Sequence, residues 1–442
     1  MVVMKFGGTS VSTGKNIRTI GEITRREKES TPVIVVSALS GMTDLLLTVL
    51  KERDRVQVFE QIKEKHSRLA KDVWGGEYPK EIDMYSDQCL REINQLLQTK
   101  QNVKEKSDAI VSYGERMSSF LITQALTSLG ITSQQVIATD LIVTNDNFGL
   151  AEFLPKPTKK NIQKNLLPLL QNGIVPVVTG YIGSTVDKKI TTLGRGGSDY
   201  SATIIGYSLN VEEVQIWTDV DGILTTDPRV INDSYLIEKV SYREAAELAT
   251  FGAKVLHPRT IRPAQQADIP VRVLNTTHPN NKGTLIEVPS VITPRIAAIT
   301  AKNNITLVNI YSTDMLLQRG FLSKVFSIFA HHNISVDLVS VSEVSVSITL
   351  DNDEKLAQAL KELTKFATVT DVDTCGIVSI IGERIVGVPK IMKQIFTVLD
   401  LNKIEPKMIS FGVTDINISL VVASSQVGKA VRCLHKSLLF TN

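Results

Sequence analysis

The stretch VVMKFGGTSV, residues 2–11, places Lys5 directly ahead of the glycine pair Gly7–Gly8. A P-loop has the opposite order, glycines first and then a lysine beside Ser or Thr. Val2 to Phe6 is short, apolar apart from Lys5 and closed by glycine, so it reads as a strand running into a turn. Two glycines let backbone N–H groups approach an anion with no Cβ in the way. Thr9 and Ser10 add hydroxyl donors or a cap for the next helix, whose N-terminus would attract phosphate. Two readings stand at this point. The turn is either a phosphate site whose lysine comes from the strand, or a plain strand-to-helix connection with Lys5 exposed.

The same kind of run recurs in PVIVVSAL (32–39), GIVPVVTGYI (173–182), VQIWTDV (214–220) and IPVRVLN (269–275). Short apolar runs separated by helical stretches indicate a mainly parallel sheet sandwiched by helices, an α/β domain. Residues 51–110 are charged, Gln-rich and weakly periodic, and read as helices packed over part of that sheet. A composition shift near 280–300 marks a boundary. Beyond it one pattern occurs twice. SVDLVSVSEVSVSITL (335–350) and EPKMISFGVTDINISLVV (405–422) each read as strand, polar turn and strand. Each follows an apolar run (305–312 or 375–382) and an amphipathic helix with apolar residues at i, i+3, i+4 and i+7. Helices over 353–365 and 426–439 complete two βαββα units with a further strand, a ferredoxin-like pair.

A chain of 442 residues exceeds one ordinary core and points to roughly two to four domains. Its 49 basic and 46 acidic residues are scattered, which gives no nucleic-acid footprint. Cys89, Cys375 and Cys433 are far apart and without CxxC spacing, which favours a reducing compartment over disulfides or zinc. With no signal-peptide pattern and no apolar run of about 20 residues, the sequence reads as a cytoplasmic globular protein with no membrane association.

Three further segments carry candidate chemistry. In TTLGRGGSDYSATIIG (191–206), Arg195 stands among glycines and is a planar fork suited to a carboxylate. Asp199 follows Ser198 at a helix start, where it could hold an ammonium, a metal ion or the helix itself. WTDVDGILTTDPRV (217–230) follows a strand, at the place where α/β sheets bind ligands. It lacks the alternating ligands of a calcium loop and suits a nucleotide, with Arg229 on phosphate. In FGAKVLHPRTI (251–261), His257 has no partners at metal spacing and reads as a structural or capping residue.

Taken in order, KFGGTS, SYGER (112–116), GRGGSDYSA (194–202), WTDVDGILTTDPR (217–229) and GAKVLHP (252–258) resemble the signatures of the aspartokinases, within the amino-acid kinase superfamily. The resemblance spans the chain, because that family carries two C-terminal ACT-type regulatory domains. It implies a catalytic domain over 1–285 and ACT-type domains over 300–370 and 371–442. It implies transfer of the γ-phosphoryl of ATP, with Mg²⁺ carried on the nucleotide, to the side-chain carboxylate of L-aspartate. The product, 4-phospho-L-aspartate, opens the lysine, threonine and methionine (diaminopimelate) pathway. Lys5, Arg195 and Asp199 are the implied catalytic residues. Ser37, Thr43, Glu115, Arg195 and Ser198 are the implied aspartate contacts. Lys5, Gly7, Gly8, Thr9, Thr218, Asp219, Leu224, Arg229, Lys254 and Val255 are the implied ATP set, although Leu224 stands where relatives often carry tyrosine. The motifs imply no dedicated metal site.

Residues 315–350 resemble the effector domain of the lysine-inhibited members. The implied effector set is Met315, Gln318, Gly320, Phe321, Leu322, Val336, Asp337, Ser342 and Glu343, and the implied effector is L-lysine. Leu317 and Gln318 depart from that class, which commonly has His and Ser there. Amides at the helix opened by Gly320 suit an α-carboxylate, and Asp337 and Glu343 suit ammonium groups. The ACT repeats imply a homodimer. Alternatives are a kinase of glutamate or acetylglutamate, or a sensor without catalytic activity.

Overall fold

The computed structural model describes residues 1–52, 55–251, 256–289, 293–316, 319–351, 355–412 and 416–440. It forms two compact units. One comprises Met1–Ile223, Glu238–Tyr242 and Val255–Val288; the other comprises Leu224–Ile237, Arg243–Lys254 and Pro289–Asn442.

The first unit begins with β1 (Val2–Phe6), α1 (Gly14–Arg26), β2 (Pro32–Val36) and α2 (Met42–Val49). Three helices follow, α3 (Val56–Trp74), α4 (Glu81–Leu97) and α5 (Val103–Ser128). Next come β3 (Ser133–Val136), β4 (Val143–Thr144), α6 (Pro155–Gln171), β5 (Val175–Thr179), β6 (Ile182–Thr185) and β7 (Ile190–Thr192). Then α7 (Gly197–Leu209) leads to β8 (Glu213–Thr218) and β9 (Lys239–Ser241). After α8 (Tyr242–Thr250), which beyond Tyr242 folds with the second unit, come α9 (Pro258–Gln266), β10 (Val271–Asn275) and β11 (Thr284–Glu287).

The main sheet has the order β3-β5-β2-β1-β8-β10-β11-β9. The five runs expected from sequence are its five adjacent strands β5, β2, β1, β8 and β10, all parallel. Every residue of β1, β2 and β5 is buried, which explains why these runs are nearly continuous in apolar side chains. The helices expected between 51 and 110 are present, and Ile62, Leu69, Ile82 and Ile93 share a core with Met4 and Phe6. A small second sheet, β4-β6-β7, was not legible, because strands of two to four residues carry too little pattern.

The second unit contains β12 (Ala298–Tyr311), α10 (Phe321–His331), β13 (Val336–Val341), β14 (Ser345–Asp351) and α11 (Leu356–Leu363). These are followed by β15 (Thr368–Ile381), α12 (Pro389–Leu401), β16 (Met408–Phe411), β17 (Asn417–Ala423) and α13 (Val427–Leu439). Both repeats share one six-stranded sheet, β13-β14-β12-β15-β17-β16. The central strands β12 and β15 are 14 residues each and serve both repeats. Residues 305–311 of β12 pair with β14, whereas residues 375–381 of β15 pair with β17. The register between β12 and β15 shifts between Lys302 and Ile305, where one repeat gives way to the other. Each repeat has its own core, one around Val325 and Phe329 and one around Ile395 and Leu434.

Candidate active site

The parallel ladder runs one step past each strand end. Gly7 N–H donates to Trp217 O at 3.2 Å, Ser37 N–H to Phe6 O at 3.1 Å and Gly180 N–H to Val36 O at 2.8 Å. The loops after β1, β2, β5 and β8 therefore open on one carboxyl edge of the sheet, where ligands bind in such folds. A Cβ on Gly8 would lie 2.9 Å from Ala38 O, so only glycine lets the first two loops approach this closely. A Cβ on Gly7 would lie 3.3 Å from Lys5 Nζ, which shows the ammonium folded toward the glycine turn.

Lys5 is buried, and its Nζ lies 2.6 Å from Asp199 Oδ1. The approach is off the axis of a hydrogen bond and that oxygen has no hydrogen-bond partner, so the contact is an ion pair. Asp199 sits in the first turn of α7, where the helix dipole favours negative charge. Among the roles the sequence leaves open for Asp199, holding Lys5 is the one this geometry displays.

The pair borders a cavity of about 440 Å³, also lined by Ser37, Thr43, Glu115, Arg195 and Ser198. All seven residues expected to carry catalysis and aspartate binding thus reach one space. Glu115, on α5, is 3% exposed, and its Oε1 accepts from Ala38 N–H at 3.3 Å. Its Oε2 has no hydrogen-bond partner. Burial outweighs the two backbone hydrogen bonds and pushes its carboxyl up to about 8. Such a carboxyl is suited to meeting a cation.

Tyr181 also lines the cavity and was not legible in the sequence. Its φ of 67° is unusual for an aromatic residue, and such outliers gather at functional sites. The conformation is held by Tyr181 N–H to Ser201 Oγ at 3.0 Å and by Leu193 N–H to Tyr181 O at 2.9 Å. A Cβ on Gly197 would lie 2.5 Å from Tyr181 Cδ2, so the second glycine cluster makes room for this ring.

The expected ATP residues are less gathered. Gly7, Gly8 and Thr9 follow β1, and Thr218 and Asp219 end and follow its neighbour β8. The loop after β8 is tied down by Asp221, which accepts from Asn275 at 2.8 Å and meets His278 Nδ1 at 3.0 Å. Leu224 and Arg229 belong to the second unit, and Arg229 is exposed and forked onto Asp227 at 2.7 Å. Lys254 and Val255 lie outside the described residues. His257 caps α9, its Nδ1 accepting from Arg259 N–H at 3.2 Å, which is the capping role its sequence context suggests.

In the second unit Met315, Gly320, Phe321, Leu322, Ser342 and Glu343 line a groove of about 660 Å³ at the N-terminus of α10. Val336 and Asp337 lie at the opposite end of β13. Asp337 is paired with Lys302 at 2.7 Å, and Lys302 also meets Asp351 at 2.8 Å. Leu317 and Gln318 lie outside the described residues. Among the described residues no cluster of three or more His, Cys, Asp or Glu side chains is arranged to hold a metal ion.

A glycine turn with its lysine on the strand and a second glycine turn bearing an arginine thus meet at one cleft. The model of the amino acid kinase family matches residues 1–275, and that of the ACT domain matches residues 378–438. Aspartokinase 1, chloroplastic, of Arabidopsis thaliana is 37% identical over 98% of this chain and 79% of its own length. Lysine-sensitive aspartokinase 3 of Escherichia coli is 36% identical over 99% of both chains. The E. coli aspartokinase III crystal structure with lysine and aspartate superposes with a TM-score of 0.87, at 35% identity and 99% coverage of each chain. Its complex with aspartate and ADP gives 0.83 at the same identity, with full coverage of both chains. The chain belongs to the aspartokinases, within the amino acid kinase family.

Proposed function

We propose that the chain transfers the γ-phosphoryl group of ATP to the side-chain carboxylate of L-aspartate, giving 4-phospho-L-aspartate and ADP. The observation that carries this reading is the single cavity that gathers Lys5, Asp199, Arg195 and the unpartnered Oε2 of Glu115. Opposite charges suit the two ends of an amino acid: Arg195, with Ser198, takes the α-carboxylate, and Glu115 takes the ammonium. Ser37 and Thr43 line the remaining wall. The substrate's side-chain carboxylate is already ionised, so its oxygen attacks the γ-phosphorus without a general base while the bond to the β–γ bridging oxygen breaks. Charge then spreads over the phosphoryl oxygens, where Lys5 and the Gly7 and Gly8 amides can stabilise it. Mg²⁺ bound with the nucleotide supplies further charge neutralisation there. A lysine and backbone amides fit phosphate oxygens, and Thr218, Asp219, Leu224, Arg229, Lys254 and Val255 are assigned to the rest of the nucleotide by resemblance.

The same reading assigns residues 1–285 to catalysis and 300–370 and 371–442 to two ACT-type repeats, although a cut between 370 and 371 falls inside β15. It assigns lysine as the inhibiting effector, supported by the groove at α10 and by the lysine-bound relative. Homodimerisation through β13 would suit its position as an edge strand, since antiparallel pairing brings the Asp337 end of one copy toward the Ser342 end of the other. Light scattering giving a monomer mass would remove that assignment. Among the described residues no helix is long and apolar enough to cross a membrane, and the three cysteines are free, in keeping with a cytoplasmic setting.

Coupled assays with aspartate, glutamate and acetylglutamate test the substrate. Turnover of aspartate alone is expected, and turnover of glutamate with aspartate untouched would overturn the reading.

A further inference from the structure

Two buried or half-buried charges outside the expected site converge on the loop that bears Arg195. Asp108 lies on α5, seven residues before Glu115 and so on the same helix face. It is 3% exposed. Its Oδ2 accepts from Gly149 N–H and Thr192 N–H, both at 2.8 Å, and its Oδ1 accepts from Thr192 Oγ1 at 2.9 Å. Arg259, near the start of α9, donates to Ala151 O at 2.7 Å and to Leu193 O at 3.3 Å. The two segments so held are bonded to each other by Ala151 N–H to Thr192 O at 2.9 Å. A carboxylate therefore closes the N–H groups of this short bridge, and a guanidinium closes its carbonyls. Arg259 is itself fixed over the Tyr200 ring, 5.2 Å from its centroid.

The bridge ends where the cavity wall begins. Gly149 and Gly194 line the cavity, and Arg195 follows at once. A guanidinium must be placed to within about 0.5 Å to fork onto a carboxylate. Flanked by Gly194, Gly196 and Gly197, Arg195 stands on backbone with little stiffness of its own. Its placement has to come from outside the loop.

We propose that Asp108 and Arg259 are positioning residues that clamp the 149–151 and 191–194 segments from opposite sides and thereby aim Arg195 at the substrate's α-carboxylate; this rests on the reading of Arg195 given above. Neither residue touches the reacting atoms. Burial pushes the Asp108 carboxyl above the ordinary carboxylate range, against the three hydrogen bonds that pull it down.

Asp108→Ala removes the acceptor shared by the two N–H groups, and Arg259→Met keeps the stem over Tyr200 while removing the donors. In the full-length enzyme each is expected to raise KM for aspartate about tenfold while KM for ATP stays within about twofold. Hydrogen exchange at the Gly149 and Thr192 amides, which needs no substrate, is expected to accelerate in Asp108→Ala. If Asp108→Ala does not fold, Arg259→Met decides alone by the same KM split. Folded variants whose aspartate KM is unmoved, or whose two KM values rise together, would overturn the proposal. Wild-type enzyme that ignores aspartate would instead remove the substrate reading. The clamp then stands or falls on KM for whichever carboxylate the enzyme does use.

Discussion

The cavity proposed for aspartate and the groove proposed for the effector are built alike, each at the N-terminus of a helix that begins after glycine, α7 in one and α10 in the other. They are finished to different degrees. In the cavity Lys5 is already paired with Asp199, Glu115 is buried with one oxygen open, and the loop bearing Arg195 is tied down from two sides. In the groove Ser342 and Glu343 are exposed, and Asp337 is elsewhere on β13 with its charge matched by Lys302. Chemistry needs charges in place before the substrate arrives. A sensor needs a ligand that favours one state over another, and a half-made site is suited to that.

The most severe test of this contrast is Lys5→Ala. It is expected to lower kcat by about a thousandfold or more, with ATP dissociation changed less than about tenfold. Rapid-quench and nucleotide-binding measurements would show it, and intact kcat would mean the cavity is not prearranged for phosphoryl transfer. Glu115→Gln should come next, raising KM for aspartate roughly a hundredfold through loss of the ammonium's partner. An unchanged KM would place the amino group somewhere else.

A proton balance sharpens the same point. Burial pushes the Glu115 carboxyl up to about 8 from the ordinary 4.5, which favours its protonated form at pH 7. Binding an ammonium favours the carboxylate, and calorimetry in buffers of different ionisation enthalpy should find close to one proton released per aspartate bound. The sign for stability follows. The unfolded chain ionises first, so this group's contribution is fully present below pH 4.5 and is lost as pH rises to about 8. Saturating aspartate should flatten that slope, and a slope that persists would leave Glu115 without its assigned partner. The smallest effect belongs to the groove. Lys302→Met frees Asp337 and Asp351, and the lysine concentration for half-inhibition is expected to fall about threefold, the scale of a partly exposed ion pair. No change would separate Asp337 from the effector.

What the sequence shows plainly is what burial and covalent spacing enforce. The central strands were readable because they are covered on both faces, and the glycine turns because close approach admits no other residue. Gly8 and Gly197 are such cases. Asp108, Tyr181 and Arg259 were invisible for the opposite reason. Asp108 meets partners 41 and 84 residues away, and Arg259 meets partners 66 and 108 residues away. No local pattern announces a carboxylate that satisfies distant backbone groups. Tyr181 follows Gly180 in an apolar run, and nothing in that run signals its positive φ. The exchange of strands between the repeats was hidden similarly, since each long strand looks like one element plus a linker.

Those two shared strands have a consequence for anyone rebuilding the enzyme. Because β12 and β15 each form a rung in both halves of the tail, neither half is a transplantable module. A chimera that imports another relative's effector response by replacing only residues 300–370 would splice foreign chain into the middle of a continuous strand, and the untouched half would inherit the mismatch. Responsiveness has to be exchanged as one piece.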